Sequence, residues 1–302
     1  MLRGLGAVVV AASLCGPAAA AEPTGTLKKI KETATIVLGV RDSSVPFSYL
    51  GPNQQPVGYT IDICLQIADA IKRELGLKSL AVTMTSITPA TRIPLMANGT
   101  VDLDCGSTTN NAERQRQVAF TNTHFLATSR ILAKTAANVA SLDDLKGKPV
   151  VSTAGTTNIR QLHEINAARS LGLRILAARD HGEAFLMLET DRAAAFVMDD
   201  ILLSSLVATA KDPSAYALSE EALSMPEPYG IMFRRNDEPF KRVVDKATAD
   251  LFGSPDIQAI YDRWFTQPIP PRGIVLNVPM APALRRAFAH PTDSPDPASY
   301  FN

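Results

Sequence analysis

The sequence predicts an α/β protein of two domains, and three observations carry that prediction. The chain has 302 residues, about twice a common domain of roughly 100–150 residues. Segments with strand and helix periods alternate along it, and the alternation starts again near the middle. At 46% hydrophobic and 20% charged residues, the composition belongs to a globular core rather than a disordered chain.

The N-terminus is taken first. Met1-Leu2-Arg3 is positive, Leu5 to Leu14 is apolar, and Gly16 to Ala21 is nearly all small residues. That order predicts an export signal over residues 1–21, cleaved near Ala19 to Ala21. An apolar stretch of about ten residues is too short for a bilayer that needs roughly 20. Leu14 stands where a lipoprotein signal ending at Cys15 would need a small residue. The mature chain is expected to be exported and soluble.

Thr35 to Val40 is a β-prone run, and Ile61, Cys64, Leu65, Ala68, Ile71 and Leu75 recur at helical spacing. Leu80 to Met84 predicts a strand, and Ile93 to Ala97 a short helix ended by Asn98-Gly99. Val101, Leu103 and Cys105 alternate with Asp102 and Asp104, predicting a strand with one solvated face. The second block offers strands at Pro149 to Thr153, Arg174 to Ala178 and Ala194 to Met198. Its helices are expected from Asn158 to Ser170 and around Phe185, Leu186 and Leu188. Tyr229 to Phe233 predicts a further strand, with helices from Glu238 to Phe252 and Ile257 to Phe265. The Pro-rich tail, residues 267–302, is expected to be irregular and draped on the first lobe. The strands are expected to be largely parallel.

Several function classes are excluded early. Thirty basic residues balance thirty acidic ones, so no bulk field favours nucleic acid or an anionic membrane. The chain has three cysteines and four histidines. No CxxC pair occurs, and His124, His163, His181 and His290 are too scattered for a metal cluster. An oxidising compartment permits a disulfide between Cys64 and Cys105, which remain after cleavage, and the sequence does not say whether the two meet; buried free thiols are the expectation. No nucleophile elbow or Gly-rich phosphate loop appears.

Two similar α/β blocks in an exported chain suggest a hinge-closing receptor. In such sheets ligands bind at the carboxyl ends of strands, where this chain places a coherent set of polar residues. Arg41 follows the first strand, Arg92 opens the short helix, and Ser107-Thr108-Thr109 follows Cys105-Gly106. Arg114 comes five residues after Thr109, Thr157 after Gly155-Thr156, His181 after Asp180, and Asp199 after Met198. Singly, each reads as a helix cap or a surface charge. Together they suit an acidic amino acid: arginine forks grip carboxylates, free N–H groups at helix starts receive anions, and Asp199 pairs with an ammonium. Three arginines and one aspartate leave two positive charges in excess, or three if His181 is protonated.

The chain also resembles the bacterial periplasmic amino-acid-binding proteins of ABC importers (family 3), in particular the branch that takes glutamate and aspartate. The segments that carry the resemblance include Arg41-Asp42-Ser43-Ser44-Val45-Pro46-Phe47, Cys105-Gly106-Ser107-Thr108-Thr109-Asn110-Asn111 and Glu113-Arg114-Gln115. Asp144-Leu145-Lys146-Gly147-Lys148, Gly155-Thr156-Thr157, Asp180-His181-Gly182, Met198-Asp199-Asp200 and Ile269-Pro270-Pro271 continue it.

The resemblance implies the two-lobed, hinge-closing periplasmic-binding-protein fold (type II). Lobe one would comprise residues 22–126 and 228–302, and lobe two residues 127–227. The chain would cross between them near Phe125 to Ser129 and near Ser224 to Tyr229. Arg114 would hold the ligand α-carboxylate, with Thr109 and Thr157; Asp199 and Ser107 would take the α-ammonium. Arg41, Arg92 and His181 would receive the distal carboxylate, and Phe47 would lie beside the ligand or in the core. Those relatives carry serine where this chain has Pro89, which offers neither hydroxyl nor N–H. The implied partners are L-glutamate or L-aspartate, an inner-membrane permease and its ATPase, for a monomeric protein without cofactor, metal or nucleic acid. The alternative is an exported enzyme on the same scaffold, of dehydratase or lyase type, with Asp199, His181 or Glu183 as general acid or base.

Overall fold

The computed structural model describes residues 22–301. The export signal, its cleavage site and Cys15 lie outside the described residues. Two five-stranded sheets form the centres of two lobes. In the first, the spatial order is Ala81–Ser86, Thr35–Val40, Leu103–Asp104, Met232–Arg234 and Val118–Phe120. In the second it is Arg174–Ala178, Pro149–Thr153, Ala195–Asp199, Ser129–Lys134 and Tyr216–Leu218.

Each sheet is mixed rather than largely parallel. Thr35–Val40 runs parallel to both its neighbours, as does Pro149–Thr153. The remaining pairs, those of Met232–Arg234 and Ser129–Lys134, are antiparallel. These antiparallel strands bring the chain back from the other lobe, which reverses their direction. Between the sheets, Phe125–Ala127 pairs antiparallel with Glu227–Tyr229.

Period-two packing explains the second sheet. Ile131, Ala133, Val150, Ala195 and Val197 point into one apolar layer, with Leu142, Leu145, Leu162 and Leu171. Leu132, Val151, Phe196 and Met198 point into the opposite layer. In the first lobe, helix Tyr59–Glu74 buries Ile63, Cys64, Ile67 and Ile71 along one stripe.

Several expectations are corrected. Val101 to Cys105 is no half-solvated strand: only Leu103–Asp104 is a strand, and Asp102 and Asp104 are both buried. Lys29 meets Asp102 and Thr108 meets Asp104, so the alternation marks two buried environments. Asp102 Oδ2 accepts there from Lys29 Nζ at 2.6 Å and from the Val37 N–H at 2.9 Å, while Oδ1 has no partner. The run Tyr229 to Phe233 breaks at Gly230-Ile231, because Glu227–Tyr229 belongs to the connecting pair and Met232–Arg234 to the first sheet. Cys64 and Cys105 are joined in a disulfide, with Cα atoms 6.2 Å apart. The helix that carries Cys64 lies directly over the sheet that ends at Cys105, which the local pattern does not reveal.

The tail is more ordered than its composition suggests. Pro282–Ala289 is a helix whose Phe288 ring lies 4.5 Å from that of Phe252. Beyond it, the Asp293 carbonyl accepts from Asn110 Nδ2 at 2.8 Å, and the Tyr300 hydroxyl meets Thr123 Oγ1 at 2.7 Å. Among the described residues, no helix is long and apolar enough to cross a membrane, and no cluster of His, Cys, Asp and Glu forms a metal site.

Candidate ligand-binding site

A small cavity lies between the lobes. It is lined by Arg41, Pro89, Arg92, Ser107 and Thr109 from one side, and by Thr156, Thr157, Asn158, His181, Met198, Asp199 and Leu202 from the other. Seven of the eight residues singled out in the sequence therefore meet at one place. The eighth, Arg114, stands beside the cavity with its guanidinium tied to two carbonyl oxygens, Thr109 at 2.7 Å and Gly155 at 3.2 Å.

Local structure places each group. Arg41 leaves the end of strand Thr35–Val40, its N–H donating to Ser48 Oγ at 2.8 Å. Arg92 is the first residue of helix Arg92–Ala97, and its guanidinium donates to Thr108 Oγ1 at 2.5 Å. Arg114 is aimed by the Asn111 cap, which accepts its backbone N–H at 2.9 Å. Thr157 and His181 are each the first residue of a helix, capped by Thr156 and Asp180. Free N–H groups at such starts favour anions. Asp199 closes strand Ala195–Asp199; its carboxylate accepts from Asn158 Nδ2 at 2.8 Å and from the Tyr229 hydroxyl.

Polar atoms without protein partners gather here. Both terminal nitrogens of Arg41, Nε of Arg92, Oγ of Ser107 and Nε2 of His181 are buried and unpaired. Such atoms are costly unless a ligand or water meets them. Burial, together with the charge of Arg92, pulls Arg41 down to about 10 and Arg114 down to about 9. At neutral pH all three guanidiniums keep their charge. Burial and then the charges of Arg41 and Arg92 push His181 well below its ordinary value, so its ring is neutral. The tally with a protonated His181 is thereby corrected: two adjacent arginines repel the added proton. Burial raises Asp199, opposed by its hydrogen bonds from Tyr229 and Asn158 and by the charges of Arg114 and Arg92.

Residues 36–267 match the model of the bacterial extracellular solute-binding proteins, family 3. The chain belongs to that family. Among curated family 3 relatives, it is 52% identical over 290 residues to the L-glutamate/L-aspartate-binding protein of Pseudomonas aeruginosa, covering 96% of each chain. It is 42% identical over 293 residues to the glutamate/aspartate import solute-binding protein of Salmonella typhimurium, covering 97% of this chain and 95% of the other. Among solved structures, a mutant of ArgBP from T. maritima superposes with TM-score 0.69 at 26% identity, over 80% of this chain and 99% of that one.

The family 3 site contains groups that position at a strand end does not reveal. Asn158 and Tyr229 hold Asp199, and Thr153 Oγ1 stands 2.9 Å from His181 Nδ1. Thr108 joins Arg92 to Asp104, donating to the Asp104 carboxylate at 2.5 Å. Asn158 was legible as the polar neighbour of Thr157. Tyr229 and Asp104 sat in runs that looked purely structural. Phe47 lies in the core, its ring 4.9 Å from Phe125 and 5.3 Å from Tyr229, and does not line the cavity.

Proposed function

We propose that this family 3 protein binds acidic L-amino acids, glutamate or aspartate, and delivers them to an ABC permease by closing two lobes around the ligand. The observation that carries the reading is the pair of buried guanidiniums, Arg41 and Arg92, with unpartnered N–H groups in a cavity that also holds Asp199. A neutral side chain would leave those cations unmatched, at a cost of several kcal/mol, roughly 3–5. A distal carboxylate accepts from them instead, together with His181 Nε2.

At the other end Arg114 keeps three of its five donors after serving two carbonyls. It holds the α-carboxylate with the hydroxyls of Thr109 and Thr157, which lie 3.4 Å apart across the lobes. Asp199 pairs with the ammonium, with Ser107 Oγ as a second acceptor. Ligand that bridges Arg114 and Asp199 favours the closed arrangement by its differential affinity alone. The hinge is the pair Phe125–Ala127 and Glu227–Tyr229, which divides the chain into residues 22–126 with 228–302 and residues 127–227. Pro89 leaves the distal carboxylate with one polar partner fewer than serine would give.

The protein acts in the periplasm as a monomer after loss of residues 1–21, docking on an inner-membrane permease driven by its ATPase. Relatives at 42–52% identity are named as binding or import proteins, which favours a binder over an enzyme. Calorimetric titration of refolded, ligand-free protein with glutamate, aspartate, glutamine and histidine tests the reading. Tight binding of glutamate or aspartate, lost by a further 2–5 kcal/mol in Arg114→Ala, is expected. Preference for glutamine, or unchanged affinity in the variant, would overturn it.

A further inference from the structure

Asp104 does not line the cavity, yet it lies under the arginines that do. It is buried in the central strand of the first sheet, paired with Gly39 on one side and Met232 on the other. Gly106 lets it and Arg41 come together: a Cβ there would sit 3.1 Å from both Asp104 Oδ1 and Arg41 Cγ. Oδ2 accepts from Thr108, whose hydroxyl oxygen also accepts from Arg92. Oδ1 has no hydrogen-bond partner. Among nearby carboxylates, Asp104 is the strongest electrostatic support for both Arg41 and Arg92.

We propose that Asp104 is a specificity-determining residue: it holds the buried arginine cluster at one positive charge in excess, so that one net negative charge on the amino acid neutralises the site and the penalty against a neutral amino acid is smaller than the arginines alone would impose. The inference rests on the reading of this cavity as an acidic amino-acid site. Arg41, Arg92 and Arg114 face two buried carboxylates, Asp104 and Asp199, beside a neutral His181. Glutamate and aspartate, each with two carboxylates and one ammonium, bring the closed site to neutrality. Without Asp104 the excess would be two, as the strand-end residues alone suggested.

Other carboxylates near the cluster are engaged elsewhere. Asp180 takes Arg179 and caps its own helix through the Glu183 N–H. Asp42 accepts from Ser86 at the surface. Glu227 beside Arg114 is bound by Gln161, and burial pushes it up to about 7. At pH 6 it is mostly protonated and leaves the tally unchanged.

The cost of enclosing net charge in a low-dielectric site rises with the square of that charge. In the wild-type protein glutamate leaves no excess charge and isosteric glutamine leaves one. In Asp104→Asn they leave one and two, so discrimination between them widens. Asparagine keeps the shape and an acceptor for Thr108.

Kd values for glutamate and glutamine, measured at pH 6 by calorimetry, give the test. In Asp104→Asn the glutamine-to-glutamate ratio of Kd should rise at least about tenfold over wild type. In Thr108→Val, which cuts the hydrogen-bond link and keeps the charge, it should stay within about threefold. An unchanged ratio in Asp104→Asn, or the same rise in Thr108→Val, would overturn the proposal. If Asp104→Asn is unfolded without ligand, rescue by saturating glutamate but not glutamine supports it; rescue by both or by neither overturns it. Wild-type protein that does not prefer glutamate would instead overturn the reading of the site, before any variant is compared.

Discussion

Arg114 reaches from the first lobe to the second and donates to the carbonyl oxygen of Gly155 at 3.2 Å. The Arg160–Glu113 ion pair at 3.0 Å and the Thr109–Thr157 contact cross the same seam. A ligand held by Arg114 is therefore held at the point where the lobes meet. The loop that makes this approach possible has little room to spare.

Gly155 has φ +76, and a Cβ on it would lie 2.6 Å from the backbone of Ala90 across the cleft. Gly155→Ala should keep each lobe folded but hold them apart. The left-handed backbone adds about 1–2 kcal/mol of strain. Affinity for glutamate should fall at least about tenfold, with the ligand-induced rise in Tm reduced in step. Wild-type affinity in this variant would show that the lobes need not come so close.

The Cys64–Cys105 disulfide closes a loop with a sequence separation of 41. Chain-entropy arguments assign such a crosslink about 3–4 kcal/mol. It ties helix Tyr59–Glu74 to the residue just before Gly106 and Ser107. Cys64→Ser with Cys105→Ser, or reduction of the native protein, should lower Tm by roughly 10 °C. Glutamate should still bind to the folded fraction. An unaltered melting curve on reduction would count against the crosslink.

Burial, and then the charge of Asp199, pushes Glu227 from 4.5 up to about 7. The folded state thus holds this proton more tightly than the unfolded chain. Its contribution to stability is complete below pH 4.5 and is lost as pH rises through about 7. Glu227→Gln removes that loss and keeps an acceptor for Gln161. The Tm advantage of the variant should therefore grow between pH 5 and pH 8, by a few degrees; a constant difference would contradict the assignment.

His124 titrates in the opposite sense. Its ring is enclosed by Phe47, Tyr59 and Tyr229, both ring nitrogens lack partners, and burial pulls it from 6.5 down to about 3. The unfolded chain takes up this proton first, so stability is present above pH 6.5 and lost as pH falls toward 3. His124→Phe removes two unsatisfied atoms from an aromatic cluster. It should raise Tm more at pH 5 than at pH 8, as differential scanning calorimetry would show.

Much of the site was legible because strand ends in α/β sheets are where side chains converge. Arg41, Ser107, Thr157, His181 and Asp199 each follow or stand near a run whose β character is local. What stayed hidden depended on which residues lie opposite each other in space. The spacing of Asp104 matched that of a solvent-facing residue, and only the folded lobe, which sets Thr108 and Arg41 beside it, makes it buried. Cys64 and Cys105 gave no sign of pairing, since the contact joins a helix to the end of the central strand, 41 residues along the chain. That the tail lies on the first lobe was legible, but its helix and the residues it turns back onto, Asn110 and Thr123, were not, for the same reason.

The sequence by itself determined the alternation of strands and helices, the export signal as an expectation, and the kind of ligand the polar residues would suit. These follow from periodicity and side-chain chemistry, which act over a few neighbouring residues. Tertiary structure alone decided the net charge at the cavity, the neutral ring of His181, the disulfide and the close fit of Gly155 against Ala90. Each of these depends on burial and on Coulomb interactions between groups brought together from distant parts of the chain, and both are set only once the two lobes have folded and met.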